Sequence, residues 1–450
     1  MLRLHRPKVY ARYSRVEASH LRRQILFLVG GLGVGVAAVL MARAADLAQD
    51  GFRAGVAAWP WLPLIVTPAG FALSCLLARN WFPGSQGSGI PQVIAARKLP
   101  STETSGHLVS LRIAGGKILL MLLGLVAGGS LGREGPTVQV GAAIMQAAGR
   151  VASIRRSSLL LAGGAAGVAA AFNTPLAGIV FAIEELSRSF DSKASGIVIM
   201  TVMLAGLTAQ MLLGDYTYFG SSYVTLAPGV AWIAVPAVAV VGGALGGLFN
   251  RINVVWSRRV PGKLGVFIRR RPIVTAALLG LLVAILGLAS GSDVSGTGYE
   301  AARAAIHQTP ADVSLWYGPA KLLATLASTL SGIPGGIFSP SLSIGAGLGL
   351  DVAYLLNVDA VQAIALLGMC AYLAGVVQAP LTSVVIVQEM TLNHSMLLPL
   401  MLVALIAGKI SSLIAPEGVY HALARNFAVP PPAPPADDKA TTADSARDSV

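Results

Sequence analysis

Charge is scarce in this chain. Of its 450 residues only 12% are Asp, Glu, Lys or Arg, against 54% hydrophobic. A soluble globular domain carries roughly 25% charged residues, so the shortfall excludes an ordinary soluble fold. Cysteine is nearly absent too. Cys75 and Cys370 lie far apart in apolar runs, which excludes a disulfide framework and leaves no zinc spacing. The six histidines are no richer a source of chemistry: His20 lies in a basic N-terminal segment, and His5, His107, His307, His394 and His421 read as peripheral or isolated. With no nucleophile–His pair and no metal-ligand cluster inside the apolar segments, an intramembrane hydrolase or other enzyme is disfavoured, and no cofactor or metal is expected. A long alternating pattern of the β-barrel kind is also missing.

What the chain has instead is long apolar runs. Gln24–Ala45, Ile233–Phe249 with its flanks, Ile273–Ala289 and Leu397–Ile414 match the roughly 20 residues a helix needs to cross a bilayer. The expected class is a mostly helical polytopic membrane protein. The net charge of +13 would fit a nucleic-acid partner if a soluble domain displayed it. Much of it falls instead in Arg3 to Arg23 and in the stretch from Arg251 to Arg271, beside apolar segments, where basic clusters mark cytoplasmic flanks. The N-terminus is too long and charged for a usual cleaved signal peptide, so its first run reads as a retained span. The Pro/Ala-rich end, VPPPAPPADDKATTADSARDSV, has the composition of a disordered tail.

The chain also repeats itself. GREGPTVQVGAA, from Gly132, returns 204 positions later as GIFSPSLSIGAG, from Gly336. Gly132 aligns with Gly336, Pro136 with Pro340, and Gly141 with Gly345. Further on, Asn173–Thr174–Pro175–Leu176 falls on Gln378–Ala379–Pro380–Leu381, and Glu184 on Glu389, at an offset of 205. The same offset carries the first span, near Gln24, to another beginning at Gly229. The first has its basic cluster before it and the second after it. If both clusters face the cytoplasm, the copies cross the membrane in opposite directions, an inverted repeat of the kind common in secondary transporters. The expected organisation is a basic cytoplasmic segment (1–23), a first membrane repeat (24–228), an inverted second repeat (229–427) and a disordered tail (428–450).

Three stretches break the apolar pattern with one grammar: GSQGSGIPQ (84–92), GREGP (132–136) and SGIPGGIFSP (331–340). Each places glycines before a proline and then an apolar run. Proline is tolerated in a first helical turn because its missing N–H would be unpaired there anyway. A helix that starts inside the membrane leaves N–H groups unpaired at the positive end of its dipole. Several such ends converging make an anion site without a full cationic charge, which suits conduction because binding stays weak enough to release the ion.

GSGIP (87–91), GREGP (132–136) and GGIFSP (335–340), in this order and followed by GVYHALA (418–424), resemble the signature segments of the CLC chloride channel and transporter family. The resemblance covers the chain from about residue 20 to 427. It implies an all-α fold built as an inverted repeat of tilted and broken helices, and a homodimer in which each subunit encloses its own anion pathway. Carried onto this sequence, the hydroxyls of Ser88 and Tyr420 and the backbone N–H groups of Ile337 and Phe338 would hold a central chloride. Taken alone, Ser88 also reads as a helix N-cap and Tyr420 as an interfacial aromatic. Glu134 resembles the family's gating glutamate, a tethered carboxylate that competes with chloride for the anion site. A chloride beside it would favour its protonated form through repulsion and desolvation, linking proton uptake to anion entry. Arg133 reads either as an electropositive neighbour or as a structural partner. Lys117 falls where the family often has a buried lysine, and a plain salt bridge is the other reading.

Glu185 matches the family's internal proton-transfer glutamate; a solvated helix end is its other reading, and Glu184 reads as structural. An acid at that position implies a chloride/proton antiporter, with a passive voltage- or pH-gated chloride channel as the alternative. Gln92 stands where many members have glutamate, with little expected effect on mechanism. Ser88 argues against the nitrate-preferring branch, and Tyr420 against the fluoride-exporting branch. A bacterial inner membrane with both termini cytoplasmic is the expected location; chloride, protons and membrane lipid are the expected partners, and no nucleic acid.

Overall fold

The computed structural model describes residues 7–99, 108–149, 154–188, 192–214, 216–226, 229–258, 260–291, 293–307 and 313–427. The proposed tail and the start of the basic N-terminal segment, with His5 and His107, lie outside them. The described residues are mostly helical and form no strand, which suits a lipid-embedded backbone because a helix satisfies its N–H and C=O groups within its own segment. The first half contains α1 (Pro7–Ala58), α2 (Pro63–Asn80), α3 (Ile90–Lys98), α4 (Leu111–Val126), α5 (Glu134–Ala148), α6 (Arg156–Phe172), α7 (Pro175–Phe181) and α8 (Ser192–Leu213). The second contains α9 (Ala234–Arg258), α10 (Gly262–Arg270), α11 (Pro272–Ser290), α12 (Tyr299–Ile306), α13 (Tyr317–Leu330), α14 (Phe338–Leu355), α15 (Val361–Val377), α16 (Pro380–Thr391), α17 (Leu397–Ile414) and α18 (Val419–Ala424).

Among the described residues, five segments are long and apolar enough to span a bilayer: Gln24–Ala58, Gly196–Leu213, Ala234–Arg258, Pro272–Ser290 and Leu397–Phe427. Three of the apolar runs read from the sequence fall within them, and Ile233–Phe249 does so but for its first residue, which ends a 3-10 turn. Proline marks many helix starts, at Pro63, Pro91, Pro175 and Pro380 among the other helices and at Pro272 in one of the spans. The helix α1 begins at Pro7, so the backbone of the basic segment is continuous with the first span. α6 and α15 are almost wholly buried; other helices, rather than lipid, surround them. Both end on a left-handed residue, Asn173 with φ 56° and Gln378 with φ 57°, at positions equated by the repeat.

The two copies of the repeat touch each other reciprocally, as a pseudo-two-fold axis demands. Gly132 and Gly336 exchange both backbone hydrogen bonds, each 2.7 Å, in a single antiparallel bridge. Glu184 accepts hydrogen bonds from the N–H groups of Leu381 and Thr382 at 3.2 and 2.6 Å, and from the Thr382 hydroxyl at 2.7 Å. Glu389 accepts the N–H groups of Leu176 and Ala177 at 3.1 and 2.6 Å. Each acid thus caps the helix start of the other copy, a placement that charge and dipole both favour. This is the structural role read for Glu184. Within each half, the helix after the bridge packs against the next one through paired glycines. A Cβ on Gly141 would lie 2.3 Å from the Gly163 carbonyl oxygen, and one on Gly345 would lie 2.3 Å from that of Gly368.

Candidate functional site

All three glycine-proline loops precede helix starts, α3, α5 and α14, and the starts converge. The Gly132–Gly336 bridge ties two of them together, and the Gly335 N–H donates to the Gly87 carbonyl at 3.1 Å to bring in the third. Glycine is needed at Gly135 because the chains approach so closely: a Cβ there would sit 2.3 Å from Ser88 Oγ. The first four N–H groups of a helix have no acceptor in its own backbone, so this junction is rich in unpaired donors.

Glu134 is the first residue of α5 and is fully buried. Its Oε1 accepts a hydrogen bond from Ser339 Oγ at 2.5 Å, and the backbone N–H groups of Ser339 and of Glu134 itself also act on the carboxylate. Ser339 is the second residue of α14, so the carboxylate lies at that helix's N-terminus. Its Oε2 has no hydrogen-bond partner among the described residues. The arrangement is an anion held by donors of another helix on a side chain that can rotate. Ser339 gave no signal in the sequence beyond its place in the third loop.

On the other side of Gly135, the buried hydroxyls of Ser88 and Tyr420 face one another without completing a hydrogen bond within 3.5 Å. The N-cap of α3 is Gly89, with no side-chain cap, so the N-cap reading of Ser88 does not hold: the close turn at Gly89, φ 104°, sends the serine hydroxyl away from its own helix. Nor is Tyr420 interfacial. Its side chain is completely buried, and its ring lies 5.6 Å from that of Phe338. Ile337 is the N-cap of α14 and Phe338 its first residue, so their N–H groups belong to the unpaired set. Phe172 and Phe181 pack edge-on against Phe338 at 6.3 and 5.7 Å. Tyr420 stands within electrostatic reach of both Glu134 and Glu185.

Lys117, fully buried in α4, donates from Nζ to the carbonyls of Gly87 at 2.7 Å and Gln86 at 3.5 Å. Among the described residues it has no acidic partner and makes no salt bridge; its Nζ is held instead by carbonyls of the loop that carries Ser88. Gln92 supports the same loop, donating to the carbonyls of Gln86 at 2.6 Å and Gly84 at 3.3 Å. The second copy of the repeat has a counterpart. Lys321, also fully buried, donates to the carbonyls of Val294, Ser295 and Gly296 at 2.8, 2.9 and 2.8 Å. Gly296 in turn accepts the Leu131 N–H at 3.1 Å, as Gly87 accepts that of Gly335. An offset of 204 from Lys117 was the signal that could have found it.

Arg133 faces outward from the junction. Its Nη1 donates to Asp46 at 2.9 Å and to the Ala42 carbonyl at 3.1 Å, and its guanidinium lies 5.9 Å above the Tyr218 ring. It is both a structural partner and an electropositive wall of a cavity of about 430 Å³, shared with Asp46, Arg53, Tyr216, Tyr218 and Arg303. The Tyr218 hydroxyl is 3.4 Å from Ser339 Oγ, so the cavity reaches the carboxylate of Glu134 through two hydroxyls.

Glu185 does not end a long apolar helix. α7 is short, and Glu185 sits in a π-helical turn, Ala182–Ser187, that follows it. The wider turn, a form frequent at functional positions, aims Glu185 inward while Glu184 caps α16. At 1% exposure it is not a solvated helix end. His421, read as peripheral, proves buried beside it. Its Nε2 is 2.7 Å from the Glu185 carbonyl oxygen and 3.6 Å from Glu185 Oε1. Of the other histidines, His307 meets the Phe219 carbonyl at 2.6 Å and His394 meets Gln388 at 2.9 Å; neither approaches the junction. Cys75 and Cys370 are both free and buried.

The chain is similar in sequence and in fold to several known proteins. Residues 69–412 match the voltage gated chloride channel family. The H(+)/Cl(-) exchange transporter ClcA of Yersinia pestis is 32% identical over 428 residues, covering 90% of this chain and 87% of that protein. The protein of the same name from Klebsiella pneumoniae is 32% identical over 386 residues, or 80% of this chain and 79% of its own length. Among solved structures, a slow cyanobacterial Cl-/H+ antiporter superposes with a TM-score of 0.76 at 26% identity, covering 90% of this chain and 98% of its own. A CLC-type fluoride/proton antiporter shares the fold, with a TM-score of 0.73 at 22% identity over 89% of this chain and 96% of its own. The chain belongs to the voltage gated chloride channel family.

Proposed function

We propose that this protein exchanges chloride for protons across a membrane, with Glu134 as the gate and Glu185 as a separate internal proton carrier. The observation that carries the reading is the buried Glu134 carboxylate, which takes the Ser339 hydroxyl at 2.5 Å at the start of α14. A carboxylate there competes with a mobile anion for the same donors. When it is protonated it loses its charge-assisted bonds and can rotate away. One proton then accompanies each opening. The similarity to proteins named H(+)/Cl(-) exchange transporters supports the same chemistry.

Chloride would rest between the Ser88 and Tyr420 hydroxyls, taking the N–H groups of Ile337 and Phe338. Lys117 would act by fixing the Ser88 loop, and Arg133 by drawing anions into the outer cavity. In this reading residues 24–228 and 229–427 form the two inverted repeats, and the chain acts as a homodimer in an inner membrane. The basic cluster from Arg3 to Arg23 supports a cytoplasmic N-terminus by the positive-inside rule, and in this reading the C-terminus lies on the same side. Neither catalysis nor nucleic-acid binding has a part in it.

A passive channel is the competing reading. Purified protein in liposomes distinguishes the two: an imposed chloride gradient drives protons uphill through an antiporter. Chloride flux with no proton movement would establish the channel instead.

A further inference from the structure

We propose that His421 relays protons between Glu185 and the inner solvent, an inference that rests on the antiport reading above. Glu185 is buried, and its Oε1 has no hydrogen-bond partner among the described residues, so a proton reaching it needs a carrier. Next to it, the His421 ring lines a cavity of about 170 Å³ whose polar walls are Lys98, Arg188, Glu417 and Arg425. Lys98 comes from α3, Arg188 follows the π turn, and Glu417 and Arg425 flank α18 and pair with each other. The imidazole therefore touches a polar cavity on one side and a buried acid on the other.

The hydrogen bond fixes the tautomer. A carbonyl only accepts, so His421 Nε2 carries the proton given to the Glu185 carbonyl at 2.7 Å, which leaves Nδ1 as the acceptor in the neutral ring. A proton arriving from the cavity binds Nδ1. The imidazolium then passes its Nε2 proton to Glu185 Oε1, which lies 3.6 Å away and comes into reach by a small rotation of either side chain. The carboxylate becomes neutral and the ring is left protonated at Nδ1. A half-turn of the ring, which brings that N–H to the Glu185 carbonyl and the bare nitrogen to the cavity, restores the resting arrangement without a further proton. The reverse sequence empties Glu185. No bond other than N–H and O–H changes, and one proton is moved for each one taken up.

The test uses the full chain in liposomes, with chloride efflux and chloride-driven proton uptake recorded together. His421→Gln keeps an N–H for the Glu185 carbonyl but cannot be protonated, so proton uptake should fall by ~10-fold or more while the protein still transports chloride. His421→Ala should lose proton uptake in the same way and regain it when imidazole is added on the inner side. Rescue would separate loss of a proton carrier from loss of packing. Proton uptake by His421→Gln within about twofold of the parent, or a folded His421→Ala that imidazole fails to rescue, would overturn the relay. Parent protein and Glu185→Gln run alongside keep the two claims apart. A parent with no chloride-driven proton uptake defeats the antiport reading itself, whereas a coupled parent, an uncoupled Glu185→Gln and a normal His421→Gln defeat the relay alone.

Discussion

At Gly132 and Gly336 the two halves of the chain present the same backbone to each other, yet the first continues with Arg133 and Glu134 and the second with Ile337 and Phe338. Both residues that follow each glycine stand at a helix start. In the second half the helix start offers donors alone, its N–H groups and the Ser339 hydroxyl. In the first it also brings a carboxylate, and that carboxylate reaches across to the second half's donors at Ser339. The duplication supplied two electropositive helix ends; a single side chain turned one of them into a competitor for the other. The lesson extends to the lysines. Lys117 and Lys321 both hold a glycine loop by its carbonyls, but only the Lys117 loop carries a hydroxyl, Ser88, into the junction with Tyr420.

Glu134→Gln tests this asymmetry most severely. It removes the removable charge and keeps the shape, so proton transport should vanish while anion flux persists in liposomes; retained coupling would break the assignment of the gate to the first half. Next come the lysines. Lys321→Met leaves Gly296 its bond from Leu131 but strands the carbonyls of Val294 and Ser295, each costing about 1–3 kcal/mol when unsatisfied, and should lower the thermal stability of the detergent-solubilised protein by ~2 kcal/mol or more. Lys117→Met leaves Gly87 its bond from Gly335 and should destabilise less, but weaken chloride binding ~3- to 10-fold by calorimetry, the scale of one hydrogen bond. Equal effects on binding from the two variants would show that the lysines do not divide the work as described.

The reciprocal caps give a smaller, more symmetric test. Glu184→Gln and Glu389→Gln should each cost roughly 1–2 kcal/mol of unfolding free energy, since bonds to a charged acceptor are the stronger kind. Glu184 should cost the more because it accepts three donors. The smallest effect is expected at the latch. Ser339→Ala removes one hydroxyl from Glu134, and anion flux should rise by ~3- to 10-fold with proton coupling retained; a flux equal to the parent's would mean that the helix N–H groups alone hold the carboxylate.

Much of this was legible in the sequence because it was written twice. The offset of about 204 paired Gly132 with Gly336 and Glu184 with Glu389; the glycines bond to each other, and each acid caps a helix of the opposite copy. Loop spelling marked the helix starts because glycine and proline act locally. Residues whose meaning depends on a distant neighbour were missed. His421 reads as an isolated histidine until the π turn at Ala182–Ser187 swings Glu185 against it. Ser339 is one small polar residue in a loop until Glu134 folds over it from 205 positions away. The inward aim of Glu185 was also hidden, since no periodicity announces a single wide turn.

The loop from Gly296 to Gly298 in the second half corresponds to the one carrying Ser88, and there the N–H and hydroxyl of Thr297 both turn to Gln49 Oε1, at 3.0 and 3.4 Å. Among the described residues the Ser88 hydroxyl has no such partner. An amide reaching over from α1 therefore occupies in one loop the donors that its counterpart keeps free.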